Sequence, residues 1–175
     1  MGRKKIFLIG LMGFAAASAL GGIASNQELL FASRALQGVF AALLAPAALS
    51  IISVTFTVPA ERAKAFGVIG AISGGGAAIG LILGGALTEY ASWRWCLGVN
   101  TPIAIGAATL AIKFVHESKA QGDNTYDIPG VITATAGLFS LTYGFHEAAT
   151  KGWSSSLTIG FLVSAVFLLV IFVAI

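Results

Sequence analysis

The stretch LLFASRALQGVFAALLAPAALSIISVTF, residues 29–56, decides how this chain is read. It holds no Asp, Glu, Lys or His, and Arg34 is its single charged side chain. A helix crosses a bilayer core of about 30 Å with roughly 20 apolar residues, so the stretch is long enough to span. Runs of the same kind recur on both sides of it, at residues 6–24, 66–87, 95–114, 128–145 and 157–175. The predicted fold class is therefore an all-α membrane protein with six transmembrane helices.

Composition agrees. Hydrophobic residues make up 57% of the 175 residues and charged residues 10%, with a mean hydropathy of +0.92. Ten Lys and Arg with seven Asp and Glu are too few to clothe a soluble protein of this length, so lipid is the expected partner of most of the surface. The basic excess of +3 is not gathered on one soluble face, and no aromatic-basic recognition motif accompanies it. Nucleic acid is thus not an expected partner.

Short polar joints separate the spans, at residues 25–28, 59–64, 88–94, 116–127 and 146–156. With Arg3, Lys4 and Lys5 in the cytoplasm, Arg62, Lys64, Lys113 and Lys119 also fall on the cytoplasmic side, and only Arg94 and Lys151 fall outside. That distribution predicts a multi-pass protein of the cell membrane with both ends of this stretch cytoplasmic. The opening Met1 to Lys5 followed by an apolar run also resembles a secretory signal. Its apolar part exceeds the usual core of about 7–15 residues, and a second span follows almost at once. The last run stops at Ile175 with no polar flank, so the native chain is expected to continue.

No seat for enzymatic chemistry is visible. Cys96 has no second Cys to pair with and reads as packing. His116 and the His146-Glu147 pair lack metal-ligand spacing, and no Ser/His/Asp set is evident. Neither a catalytic residue, a metal nor a cofactor is expected. Trp93, Trp95 and Trp153 fall at the external boundary and read as interfacial anchors. Pro46 and Pro102 each remove a backbone donor and are expected to kink their spans.

Arg34 is the most informative residue, because a charge inside a span costs about 2.5–3.5 kcal/mol on insertion scales. The acids Glu28, Glu61, Glu89, Glu117, Asp123, Asp127 and Glu147 all lie in joints or at span ends, so none is an evident partner for it. Gln37 and Gly38 follow at three and four positions, on the same helix face. Two readings stand: a functional charge network, or an arginine near its span's start that snorkels to the external interface. In the third span Gly76, Gly80 and Gly84 repeat every four residues, with Gly85 beside them. They make a groove that serves either plain helix packing or a pliable moving interface. No Gly-Lys-Ser or Gly-Lys-Thr follows, so this is no phosphate-binding loop.

The run from Leu30 to Ala42, with Arg34, Gln37 and Gly38 at the right offsets, resembles the fourth-span motif of the drug/proton antiporters of the major facilitator superfamily. The glycine that the family places near Phe40 is absent. The run from Gly76 to Gly85 is similar to the family's fifth-span antiporter motif, with Leu81 where the pattern has Pro. Trp93-Arg94-Trp95 followed by Asn100-Thr101-Pro102 resembles the start of the sixth span. Gly2-Arg3-Lys4-Lys5 resembles the tail of the basic loop between spans two and three, without its preceding Asp. Asp127-Ile128-Pro129-Gly130 and Gly152-Trp153 are similar to the two extra central spans of the fourteen-span type.

The resemblance implies spans three to eight of such an antiporter. Residues 1–115 would form an incomplete N-terminal bundle, and residues 116–175 the two extra spans. It implies proton-coupled export of drugs or other small hydrophobic compounds by alternating access, driven by a proton gradient and without a cofactor. It also implies that Arg34 and Gln37 belong to the proton or charge network, and that Gly38, Gly76, Gly80, Gly84 and Gly85 are packing and motif positions. Substrate-contacting residues stay unassigned. The rest of the transporter is then an obligatory partner, which should supply the missing acid, and this stretch alone is expected not to pump. The alternative is a small membrane scaffold or assembly subunit without transport.

Overall fold

The computed structural model describes residues 2–119 and 127–175. Asp123 and most of the expected cytoplasmic joint 116–127 lie outside the described residues. The order is α1 (Arg3–Gly22), α2 (Gln27–Thr55), α3 (Pro59–Tyr90), α4 (Trp93–Gly98), α5 (Asn100–Phe114), α6 (Ile128–Lys151) and α7 (Ser156–Ala174). No strand occurs among the described residues. With α4 and α5 taken together as Trp93–Phe114, six helical segments are long and apolar enough to cross a membrane. The chain divides into two compact units, Met1–Gln121 and Gly122–Ile175.

In the first unit α1 is central, packed on α2, α4 and α5. Its seam with α5 is built from Leu11 and Ala15 against Ala104 and Ala108, all buried. Small side chains on both helices let the backbones approach, which is how helices associate where lipid removes the hydrophobic driving force. The closeness shows in a side-chain bond from Thr101 Oγ1 to the Ala15 carbonyl oxygen, at 3.3 Å. At the cytoplasmic-type end Arg3 Nε donates to Ser50 Oγ at 2.6 Å, and Lys4 Nζ donates to the Ile112 carbonyl at 2.8 Å. Lysine there satisfies a free carbonyl near the end of α5, where the helix dipole favours a cation. These basic residues thus strap helix ends together.

Helix ends account for most departures from the expected boundaries. Residues 59–64 were expected as a joint, but α3 starts at Pro59, whose missing N–H costs nothing at the first helical position, and Glu61 lies in its first turn. At 32 residues α3 is about 48 Å long, so its ends project beyond a hydrocarbon core of about 30 Å. The expected joint 88–94 shrinks in the same way: α3 runs on to Tyr90, and α4 begins at Trp93 behind the Ser92 cap. The fourth span is broken at Val99 into α4 and α5. Pro102 cannot donate to the Gly98 carbonyl, and the helix is interrupted at that turn. Around Pro46, by contrast, α2 continues to Thr55.

The second unit is the hairpin of α6 and α7. Gly137, Ser140, Gly144 and Ala148 form the buried stripe of α6, facing the buried Thr158 and Ala165 of α7. The fifth span was expected to end at Phe145, but α6 continues to Lys151. An i,i+4 pair between Glu147 and Lys151 supports that last turn. Gly152 then ends it with φ +86°, a conformation only glycine adopts cheaply.

Candidate functional site

Arg34 lies two turns inside α2, past the Asn26 cap, whose Oδ1 accepts from the Leu29 amide at 2.7 Å. Its Nη1 donates to Gln37 Oε1 at 2.8 Å. Gln37 Nε2 in turn donates to Ser18 Oγ of α1 at 2.5 Å. Ser18 is 0% exposed and Gln37 5% exposed, whereas Arg34 is exposed. A buried amide with both ends bonded avoids the penalty of burying an unpaired polar group. The result is a three-residue relay that leads from the α1–α2 interface to a guanidinium on the surface of this unit.

The floor of the relay is tight. Ser33, 1% exposed, donates Oγ to the Leu30 carbonyl at 2.7 Å. A methyl group on Gly21 would stand 2.8 Å from Leu97 Cδ1 and 2.9 Å from Ser33 Oγ. Only glycine lets α1, α2 and α4 meet there. Beyond this point Arg94 Nη2 donates to the Ala24 carbonyl at 3.0 Å, while its guanidinium lies 4.8 Å from the Trp93 ring centroid. Trp95 and Trp153 are 60% and 66% exposed, as interfacial anchors should be.

The remaining motif residues stand apart. Gly38 was expected to share a face with Arg34 and Gln37. It is exposed, and no atom lies within 4 Å of where its side chain would begin, while Gln37 turns inward against α1. The glycines of α3 are equally open, and no residue of α3 is buried. Among the described residues no second backbone fills their groove. Gly76, Gly80 and Gly84 instead form one wall of a cleft of about 380 Å³, with Cys96, Asn100 and Ile103 opposite. Gly85 does not line it. Cys96 Sγ lies 3.4 Å from the Gly84 carbonyl oxygen and from Thr88 Oγ1, a packing contact as expected.

Two participants were not legible beforehand. Ser18 sits in the run Phe14-Ala15-Ala16-Ala17-Ser18-Ala19, where nothing marks it. Glu147 was placed in a joint, but it belongs to α6 and is 5% exposed. The Glu-x-x-x-Lys spacing to Lys151 was the available signal that the helix continues. Among the described residues the only ion pair is this one, at 2.8 Å, so Arg34 has no carboxylate partner there. Among the described residues no cluster of His, Cys, Asp or Glu could hold a metal ion.

Known proteins carry the same pattern. The chain is 51% identical over 172 residues to a puromycin resistance protein of Streptomyces alboniger, a match that covers 98% of this chain and 34% of the relative. It is 31% identical to a tetracenomycin C resistance and export protein of Streptomyces glaucescens, covering 94% of this chain and 31% of that protein. It is 35% identical to multidrug resistance protein 3 of Bacillus subtilis, over 98% of this chain and 34% of the relative. The chain therefore spans about a third of the length of these relatives. The family model described as Major Facilitator Superfamily matches residues 1–175. With six membrane-crossing segments and that match over its whole length, the chain belongs to the major facilitator superfamily.

Proposed function

We propose that this chain is a segment of a proton-coupled exporter of drugs or other small hydrophobic compounds that works by alternating access. The observation that carries the reading is the 51% identity, over nearly the whole chain, to a puromycin resistance protein. The export and multidrug resistance relatives support it. In this reading both ends of the stretch face the cytoplasm, and the chain has no enzymatic role. A proton gradient, not a cofactor, drives it.

Arg34 is the fixed charge of the mechanism. Gln37, locked by Ser18, presents a carbonyl oxygen to one guanidinium N–H. The remaining donors stay free to engage a carboxylate from the rest of the transporter, whose protonation would loosen the contact and let the bundles rock. The open glycine cleft of α3 is where a helix from the other bundle would slide. Export of puromycin from cells that carry the whole protein, lost on collapsing the proton gradient, tests the reading. Accumulation equal to that of control cells would overturn it.

A further inference from the structure

Glu147 is 5% exposed and lies on the same side of α6 as the buried Gly144 and Ala148. Its Oε2 is 2.8 Å from Lys151 Nζ, and the two side chains differ sharply in exposure, 6% for the acid and 53% for the base. An ordinary surface pair leaves both members wet and contributes little. Here the carboxylate is fixed in the hairpin, and the ammonium sits at its rim on a flexible stem that can reach the headgroup water.

We infer that Glu147 is a proton-binding site of the α6–α7 hairpin, with Lys151 as a tethered cation that competes with the proton for the same carboxylate. From α7, residues Ser156–Ala174, no ionisable side chain faces it. On α6 the nearby titratable groups are Tyr143, whose ring lies 4.6 Å from Phe161 and 6.0 Å from His146, then the exposed His146, and Lys151. Asp127 caps the opposite end of this 24-residue helix, about 30 Å away. A buried carboxylate with one cation has two stable arrangements. It stays ionised against the ammonium, or it takes a proton when the ammonium leaves. In the second, a proton from water adds to the carboxylate, the Nζ–Oε2 contact breaks, and Lys151 remains an ammonium in the headgroup layer. The pair thereby changes from neutral to +1.

The inference deepens the export reading and rests on it for its purpose. By the charge distribution, this end of α6 is external, where an exporter driven inward by protons must first receive them.

The test is a vibrational titration of the 175-residue chain in lipid nanodiscs, with glutamate carboxyls labelled with carbon-13. Glu147→Gln is expected to remove one titrating carboxyl band. Lys151→Met is expected to move that band's midpoint to higher pH by about one unit or more, while Lys151→Arg keeps it near the original value. Should Glu147→Gln not fold, the Met and Arg variants at Lys151 decide the matter on the native carboxylate. An unchanged spectrum in Glu147→Gln, or one midpoint shared by the Met and Arg variants, overturns the inference. Either result leaves the export reading untouched, and a failed puromycin assay would leave the titration standing.

Discussion

Gln37 donates its amide nitrogen to the buried Ser18 hydroxyl at 2.5 Å, and that bond decides which end of the amide meets Arg34. The arginine is thus oriented from a helix it does not belong to. Ser18→Ala leaves a buried amide donor unpaired, at a cost of about 1–3 kcal/mol. Export by the whole protein should fall several-fold while the protein still reaches the membrane, and Ser18→Thr should restore part of it. Dye efflux normalised to membrane abundance checks this.

Arg34 should tolerate no replacement fully. Lysine keeps the charge but not the planar fork that can engage Gln37 and a carboxylate together. The expected order of efflux rates is wild type, then Arg34→Lys, then Arg34→Ala near background. Equal rates for Ala and wild type would leave the snorkelling reading of this residue as the better one.

Gly21 and Gly80 should respond in opposite ways. At Gly21 a side chain meets Leu97 and Ser33 within the described unit, so Gly21→Val should destabilise it by about 1–3 kcal/mol through overpacking. At Gly80 nothing lies within 4 Å. Gly80→Leu should leave the thermal unfolding of this chain unchanged yet abolish export by the whole protein. Unfolding followed by circular dichroism, paired with efflux, separates the two.

Orientation can be read chemically. In a Cys96→Ser background, Ser154→Cys should react in intact cells with a membrane-impermeant maleimide. Lys64→Cys should react only after the membrane is opened. The reverse pattern would place Arg3 and its neighbours outside.

The six spans were legible because length and apolarity are properties of single stretches, and a bilayer imposes both. Their ends were less so. Polar residues such as Glu61 and Glu147 read as joints, but they stay helical because first-turn acids and i,i+4 pairs stabilise helix ends. Pro102 announced a kink, and the structure turns it into a break at Val99. Arg34 and Gln37 could be picked out from the sequence, one by its charge in lipid and the other by its offset. Ser18 could not be, because its partner lies 19 residues away on another helix, and one serine among alanines carries no signal of pairing.

The most direct test of the account is drug efflux driven by an imposed pH gradient, in proteoliposomes that hold the whole purified protein. The account predicts puromycin movement that follows the gradient, disappears when a protonophore dissipates it, and drops to background in Arg34→Ala. Movement indifferent to the gradient, or unaltered in Arg34→Ala, would contradict it.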